Sequence, residues 1–201
     1  MQAQEGSPSR GDQPLHRSVE VTHVRGIIVS VVRRAMLEQL SGEAWQRCLD
    51  GLSPACRAVF ARGVGDYEWV PMPLLSEASG HFQASTEGDL VALRGSLYAE
   101  QMLTRSHQWM LKVMTPELLV RQAPRIFGFY HQGGQVWTEE VAPGRACLSL
   151  RATGPGPGWA EVLMPSWFRR ALELCGAKKV EVAYEPPSED RHHHRYWAVW
   201  A

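Results

Sequence analysis

An α+β domain is what this sequence predicts: helices in the N-terminal part, then a β-β-α-β-β succession giving a four-stranded, mostly antiparallel sheet packed on the helices. Three observations carry that expectation. Before Gly133 the apolar residues recur at helical spacing, punctuated by cap signals. Gly133-Gly134 then breaks the pattern. Beyond it, short runs alternate apolar with polar residues around one further amphipathic segment. Helices followed by mostly antiparallel strands point to layers sharing one core.

VEVTHVRGIIVSVVRRAMLEQL starts extended and turns helical. Val32, Met36, Leu37 and Leu40 follow the helical repeat, while Arg33, Arg34 and Glu38 face out. Ser41 is placed to cap a second helix, GEAWQRCLDGL. Ser53-Pro54 opens a third, PACRAVFARG, with proline at the first helical position, where its missing N–H costs nothing. DYEWVPMPLLSEASGHF is a turn feeding a fourth, with Leu74, Leu75, Ala78 and Phe82 on one face. In EGDLVALRGSLYAEQML, Leu90, Leu93, Leu97 and Met102 form the expected buried stripe, and Gly88 and Gly95 allow close packing. Thr115-Pro116-Glu117 combines a cap, a proline and an acid at the positive end of a helix running through LLVRQAPRIFGFYHQ, with Pro124 as a kink point.

QVWTEEVA and RACLSLRAT read as strands joined by the Pro143-Gly144 turn. In the second, Ala146, Leu148 and Leu150 alternate with Cys147, Ser149 and Arg151. GPGPG at 154–158 is a loop, and WAEVLMPSWFRRALELCG a helix ending at Gly176. KKVEVAYE is a strand with Val180, Val182 and Tyr184 on one face. RYWAVWA is the last strand, with Tyr196, Ala198 and Trp200 on one face and Trp197 and Val199 on the other. Residues 1–18 hold little to bury and are expected to be a flexible tail, leaving 19–201 as one domain.

Lys plus Arg and Asp plus Glu both total 21, so the formal net charge is zero, which disfavours nucleic-acid binding through a broad basic surface. No apolar run approaches the roughly 20 residues that span a bilayer, and MQAQEGSPSRGDQPLHR has no apolar core of an export signal. Cys48, Cys56, Cys147 and Cys175 show no CxxC spacing. Reduced thiols in a cytoplasm are therefore expected. Cys147 and Cys175 sit among apolar residues and are expected to be inert. GxSxG, P-loop, GxGxxG and HExxH signatures are missing, and Glu139 and Glu140 on a strand would face opposite ways. No catalytic residues are assigned.

With its landmarks in this order, the chain resembles the superfamily that joins haem–nitric-oxide-binding (H-NOX) domains with 4-vinyl-reductase-like small-molecule-binding domains, and a bacterial family of this length within or near it. The matching segments are VRGIIVSVVRRAMLEQLSGEAWQRCLDGL, the EWVP lead-in to the fourth helix, TPELLVRQAPRIFGFYHQGGQV, and LELCGAKKVEVAYE with the terminal strand, over Val24 to Ala201. The resemblance implies a protein that binds haem, an aromatic effector or a partner protein, and few members are enzymes. H-NOX domains hold haem through a proximal histidine and grip its propionates with a Tyr-x-Ser-x-Arg element. Here the corresponding hairpin reads CLSLRATG, His131 is out of register, and His107 lies on a helix without a propionate partner. The expectation is a colourless protein with no cofactor. The zinc-binding cysteines of some 4-vinyl-reductase-like members fall on Pro186, on His194 and near Ala160, of which only His194 can be a ligand.

The expected function is a non-enzymatic regulatory or sensory domain that binds a small hydrophobic ligand or a protein partner, as a homodimer. The alternative is a dimerisation module with a filled core; a haem gas sensor or an unrecognised enzyme ranks below both. Candidate ligand-binding residues are Trp109, Met110, Phe127, Phe129, Tyr130, Trp159 and Trp167. Trp69, Trp197 and Trp200 are the candidate exposed aromatics, with Trp197 and Trp200 assigned to an interface. His192 and His194 share a strand face and are weak metal candidates with Glu189 or Asp190; the competing reading makes them part of a solvated hairpin edge. A cavity of roughly 300 Å³ or more favours the sensor, a filled core the module.

Overall fold

The computed structural model describes residues 19–84, 90–106, 114–156, 158–187 and 192–201. The expected tail at 1–18 lies outside the described residues, as do Gly88, His107, Trp109, Met110, Glu189 and Asp190. The described elements run β1 (His23–Arg25), α1 (Gly26–Gln39), α2 (Gly42–Asp50), α3 (Pro54–Arg62), β2 (Trp69–Pro71), α4 (Met72–Ala84), α5 (Leu90–Ser106), α6 (Pro116–Tyr130), β3 (His131–Gln132), β4 (Gln135–Ala142) and β5 (Arg145–Arg151). A π-helical turn (Trp159–Leu163), α7 (Met164–Leu174), β6 (Glu181–Glu185) and β7 (His193–Val199) complete the order. The expected caps form: Ser41, Ser53 and Thr115 accept from the backbone N–H groups of Ala44, Cys56 and Leu118.

β4-β5-β7-β6 is the expected four-stranded sheet, antiparallel throughout. The last strand, however, lies inside it, between β5 and β6, so its histidines do not guard an edge. A second, three-stranded sheet, β2-β1-β3, was not expected. Its strands have two or three residues, too short to show alternation in sequence. Gly133 and Gly134, both at positive φ, turn the chain from this small sheet into β4. A side chain on Gly133 would run into the Glu20 carbonyl.

One core joins the layers. α6 passes through Pro124 as a single helix rather than ending there. Proline cannot bond the carbonyl of Val120, and the Thr138 hydroxyl of β4 donates to that oxygen instead, at 3.0 Å. The segment after GPGPG opens as a π turn, closed by the Leu163 N–H on the Gly158 carbonyl, before α7 begins with Pro165 in its first turn. The wider turn spares the helix the clash between a proline ring and the carbonyl four residues back.

Two apolar stripes differ from the expectation. On α1, Val32 and Met36 are buried but Leu37 is exposed, and Arg33, expected to face out, donates to the Phe60 carbonyl at 2.9 Å. On α5, Leu93 is exposed while Arg94, Tyr98, Ala99, Met102 and Leu103 are buried. Among the described side chains, the buried face of α5 thus includes an arginine next to the exposed Leu93, while Leu97 packs partly buried against the core.

Candidate functional site: a cavity between helices and sheet

The inner walls of α4, α5, α6, the π turn, α7 and β5 do not close on one another. They leave between them a partly open cavity of about 400 Å³. Its lining is mostly apolar: Met72 and Leu75 from α4, Met102 from α5, Ile126 and Phe127 from α6, Leu148 from β5, and Trp159, Leu163 and Trp167 from the C-terminal part. The π turn sets Trp159 and Leu163 on this wall; such turns recur at functional sites. Gly95 lets α5 approach α7, because a Cβ there would collide with the Leu163 carbonyl and stand 3.0 Å from the Trp167 backbone nitrogen.

A few polar groups interrupt the apolar wall. Arg94 is 6% exposed, and its Nε has no hydrogen-bond partner. The Ser76 hydroxyl and the Trp167 indole N–H, also on the wall, are likewise without partners. Tyr98 stands one helical turn from Arg94; burial pushes its phenol up to about 12, with the arginine acting the other way. His131 lies face to face with Phe127, centroids 4.3 Å apart, and its Nδ1 is 3.2 Å from the Phe127 carbonyl. Burial lowers this imidazole to about 4, so it is neutral near pH 7 and donates from Nδ1 to that carbonyl. Among the described residues, Arg94 is the only full charge on the wall, and no carboxylate lines it.

Of the candidate ligand residues, Phe127, Trp159 and Trp167 reach the cavity. Phe129 and Tyr130 do not. Phe129 is exposed and packs edge-on against Tyr67, beneath the Arg25 guanidinium. Tyr130 is wholly buried, with its hydroxyl donating to the Met102 carbonyl at 3.2 Å. Phe129, two residues past Phe127, falls on the opposite side of α6; Tyr130, three residues past, shares the side of Phe127 but is taken up by the core beside Met102. Trp109 and Met110 lie outside the described residues. Sequence reasoning missed Arg94, Ser76 and Tyr98. An arginine next to a helical glycine carries no signature of its own, but its position on the face shared with Tyr98 and Met102 was readable from spacing.

The other face of the sheet carries a polar group. A bulge between Thr138 and Glu140 frees Glu139 from the regular alternation. Its carboxylate accepts from the Ser149 hydroxyl and from Arg195, with the Cys147 sulfur at 3.7 Å; the Ser149 bond, first, and Arg195 hold it below its ordinary range. His193 reaches Ser149 at 3.1 Å. Ser149 is wholly buried, and burial together with the Glu139 charge pushes the Cys147 thiol up to about 12, so neither is presented as a nucleophile. Burial raises the Cys175 thiol to about 11. Beyond this group Trp197 and Val199 are 42% and 50% exposed, with the Trp197 indole donating to Glu185. Trp200 is partly buried against the core, and Trp69 is covered by Arg25 at 3.8 Å, so neither is a free aromatic anchor. His194 is buried and bonded to the Tyr184 hydroxyl, while His192 sits in the turn before β7. Their shared face brings no further ligand: no group of three or more His, Cys, Asp or Glu is placed to hold a metal among the described residues.

No family model matches the chain, and no curated protein matches it in sequence. Solved structures do resemble it. An H-NOX protein from K. algicida in the unliganded Fe(II) form matches with a TM-score of 0.69 at 12% identity, over 88% of this chain and 96% of its own. An H-NOX protein from S. oneidensis in the Fe(II)NO state matches at 0.67 and 14%, over 88% and 99%. An oxygen-binding H-NOX domain related to soluble guanylate cyclases, in its oxygen complex, matches at 0.61 and 7%, over 88% and 94%. At such identities the likeness is one of backbone architecture: this chain has an H-NOX-like fold.

Proposed function

We propose that this chain is a sensory or regulatory domain that takes up a small, mostly apolar ligand in the cavity, and that it is not an enzyme. The cavity carries the reading. Its volume of about 400 Å³ is that of a ligand pocket, roughly 300–1,000 Å³. The fold neighbours, which hold Fe(II), nitric oxide or oxygen, support a sensory role. Four free cysteines suit a reducing compartment such as the cytoplasm, and no described helix is long and apolar enough to cross a membrane.

The described residues of the cavity do not fit haem, the group its fold neighbours imply; His107 lies outside them. Two propionates call for two cationic or donor-rich partners, and among the described residues the wall supplies one arginine. β5 meets the cavity with Leu148, while its polar residues Cys147 and Ser149 turn to the opposite face and bond Glu139. The one histidine among the described lining residues is stacked flat on Phe127. The ligand is therefore an organic molecule that fills the apolar volume by itself.

Uptake of the neutral dye N-phenyl-1-naphthylamine tests this. The dye should brighten on binding and quench Trp159 and Trp167 by energy transfer. Ala123→Phe, which adds a ring at the α6 wall, should weaken uptake at least about tenfold, the effect of occupying most of the space a bound ring needs. No uptake by the wild type, or equal uptake by a folded Ala123→Phe variant, would remove the cavity reading.

A second reading has its own observation. Trp197 and Val199 leave an apolar strip on the outer face of β7, beside Arg195, Glu139 and Glu185. A homodimer or a protein partner is proposed to cover that strip.

A further inference from the structure

We infer that the ligand is an apolar monocarboxylate, an aliphatic or aromatic body whose carboxylate is received by Arg94. This rests on the cavity being a ligand site and adds the chemical class of what enters it.

A guanidinium remains charged in any protein environment, so burial cannot neutralise it as it would a lysine or an acid. A buried charge without a counter-charge is expensive. Arg94 is 6% exposed, its Nε is unpartnered, and no described carboxylate shares its wall. The imidazole of His131 is neutral and already gives its Nδ1 proton to Phe127. Two more donors on the same lining, the Ser76 hydroxyl and the Trp167 indole N–H, have no acceptor. Gly95, next to Arg94, brings α5 against the backbone of Trp167, so the arginine and the indole belong to neighbouring elements of one wall.

Among the described residues, donors in excess, one full positive charge and no negative one define a site for an acceptor bearing a single negative charge. A carboxylate matches a guanidinium with two parallel hydrogen bonds. A phosphate monoester carries close to two charges and calls for more cations than one. The rest of the lining, from Met72 and Leu75 to Phe127 and Leu148, is hydrocarbon and aromatic ring, which suits the body of such an acid and excludes a polar one.

The test is displacement of N-phenyl-1-naphthylamine by matched pairs: decanoate against 1-decanol, and 1-naphthoate against 1-naphthamide. The acid of a pair that fits should bind at least about tenfold tighter than its neutral partner, the discrimination expected of a charge-assisted hydrogen bond. The two pairs tell an aliphatic body from an aromatic one. The acid-to-neutral ratio should fall towards one in Arg94→Met and persist in Arg94→Lys. Freed of a buried unpaired charge, the ligand-free Arg94→Met protein should also melt higher than the wild type. If Arg94→Met does not fold, the wild-type ratios decide the matter. Dye uptake without an acid preference in either pair overturns the carboxylate inference and leaves the cavity reading standing. A preference that survives in a folded Arg94→Met protein overturns the role of Arg94. Absence of dye uptake removes the cavity reading and the inference with it.

Discussion

His131 is a titrating group whose burial gives a pH signature. Its imidazole falls from 6.5 in the unfolded chain to about 4 in the fold, because burial disfavours the cation more than the Phe127 carbonyl supports it. Between those values the unfolded chain binds the proton and the folded one does not. The stability it supplies is complete above pH 6.5 and is lost as pH falls towards 4. His131→Phe keeps a ring against Phe127 and removes the titration. Between pH 7.5 and 4.5 the wild type should lose about 2–3 kcal/mol more than the variant in urea unfolding. Equal losses would show that His131 does not bury its neutral form. Thr138 acts on the same small scale, its hydroxyl occupying the carbonyl that Pro124 leaves without a partner.

Among the elements, α5 is the one where the departure from the sequence pattern falls on the cavity. Its Leu93, part of the expected buried stripe, is exposed, while Leu97 packs partly buried on the core, Met102 is buried as expected, and the fold also turns Arg94, Gly95 and Tyr98 inward. Departure from the apolar pattern marks the part of the helix that lines the cavity, as expected where local consistency yields to the proposed ligand site. Gly95 tests the packing. Gly→Ala in a helix normally stabilises by about 0.5–1 kcal/mol. At Gly95 the added methyl meets the Leu163 carbonyl and the Trp167 backbone, so Gly95→Ala should destabilise, by roughly 1–3 kcal/mol. Gly128→Ala on α6, where a Cβ meets nothing within 4 Å, should stabilise. Urea midpoints of the two variants moving in the same direction would rule out a tight α5–α7 contact at Gly95.

At the scale of the molecule, the sheet has one face on the helices and one facing outward. β5 is nonetheless covered on both sides, because the outward face carries its own layer of long side chains around Glu139, His193 and Arg195. That layer thins at Trp197 and Val199. If a second copy covers the strip, sedimentation of the wild type should show dimers at micromolar concentration, and Trp197→Ala should weaken them about tenfold or more, as loss of an aromatic anchor does. A wild type that remains monomeric at high micromolar concentration would exclude the homodimer, and circular dichroism would confirm that the variant is folded.

Periodicity and punctuation by themselves determined the helix-then-sheet order, the caps at Ser41, Ser53 and Thr115, the Pro143-Gly144 hairpin, and the faces of the last strand, because each depends on residues a few positions apart. They also marked Phe127, Trp159 and Trp167 as aromatics suited to a pocket. Only the tertiary structure decided that the last strand pairs inside the sheet, that three very short strands form a second one, and that Phe129 and Tyr130 turn away while Arg94 turns in. Strand order and cavity walls are set by contacts between residues far apart in the chain. No local pattern encodes whether helices and sheet meet or leave a space between them; that depends on how the summed volumes of their facing side chains fill the gap.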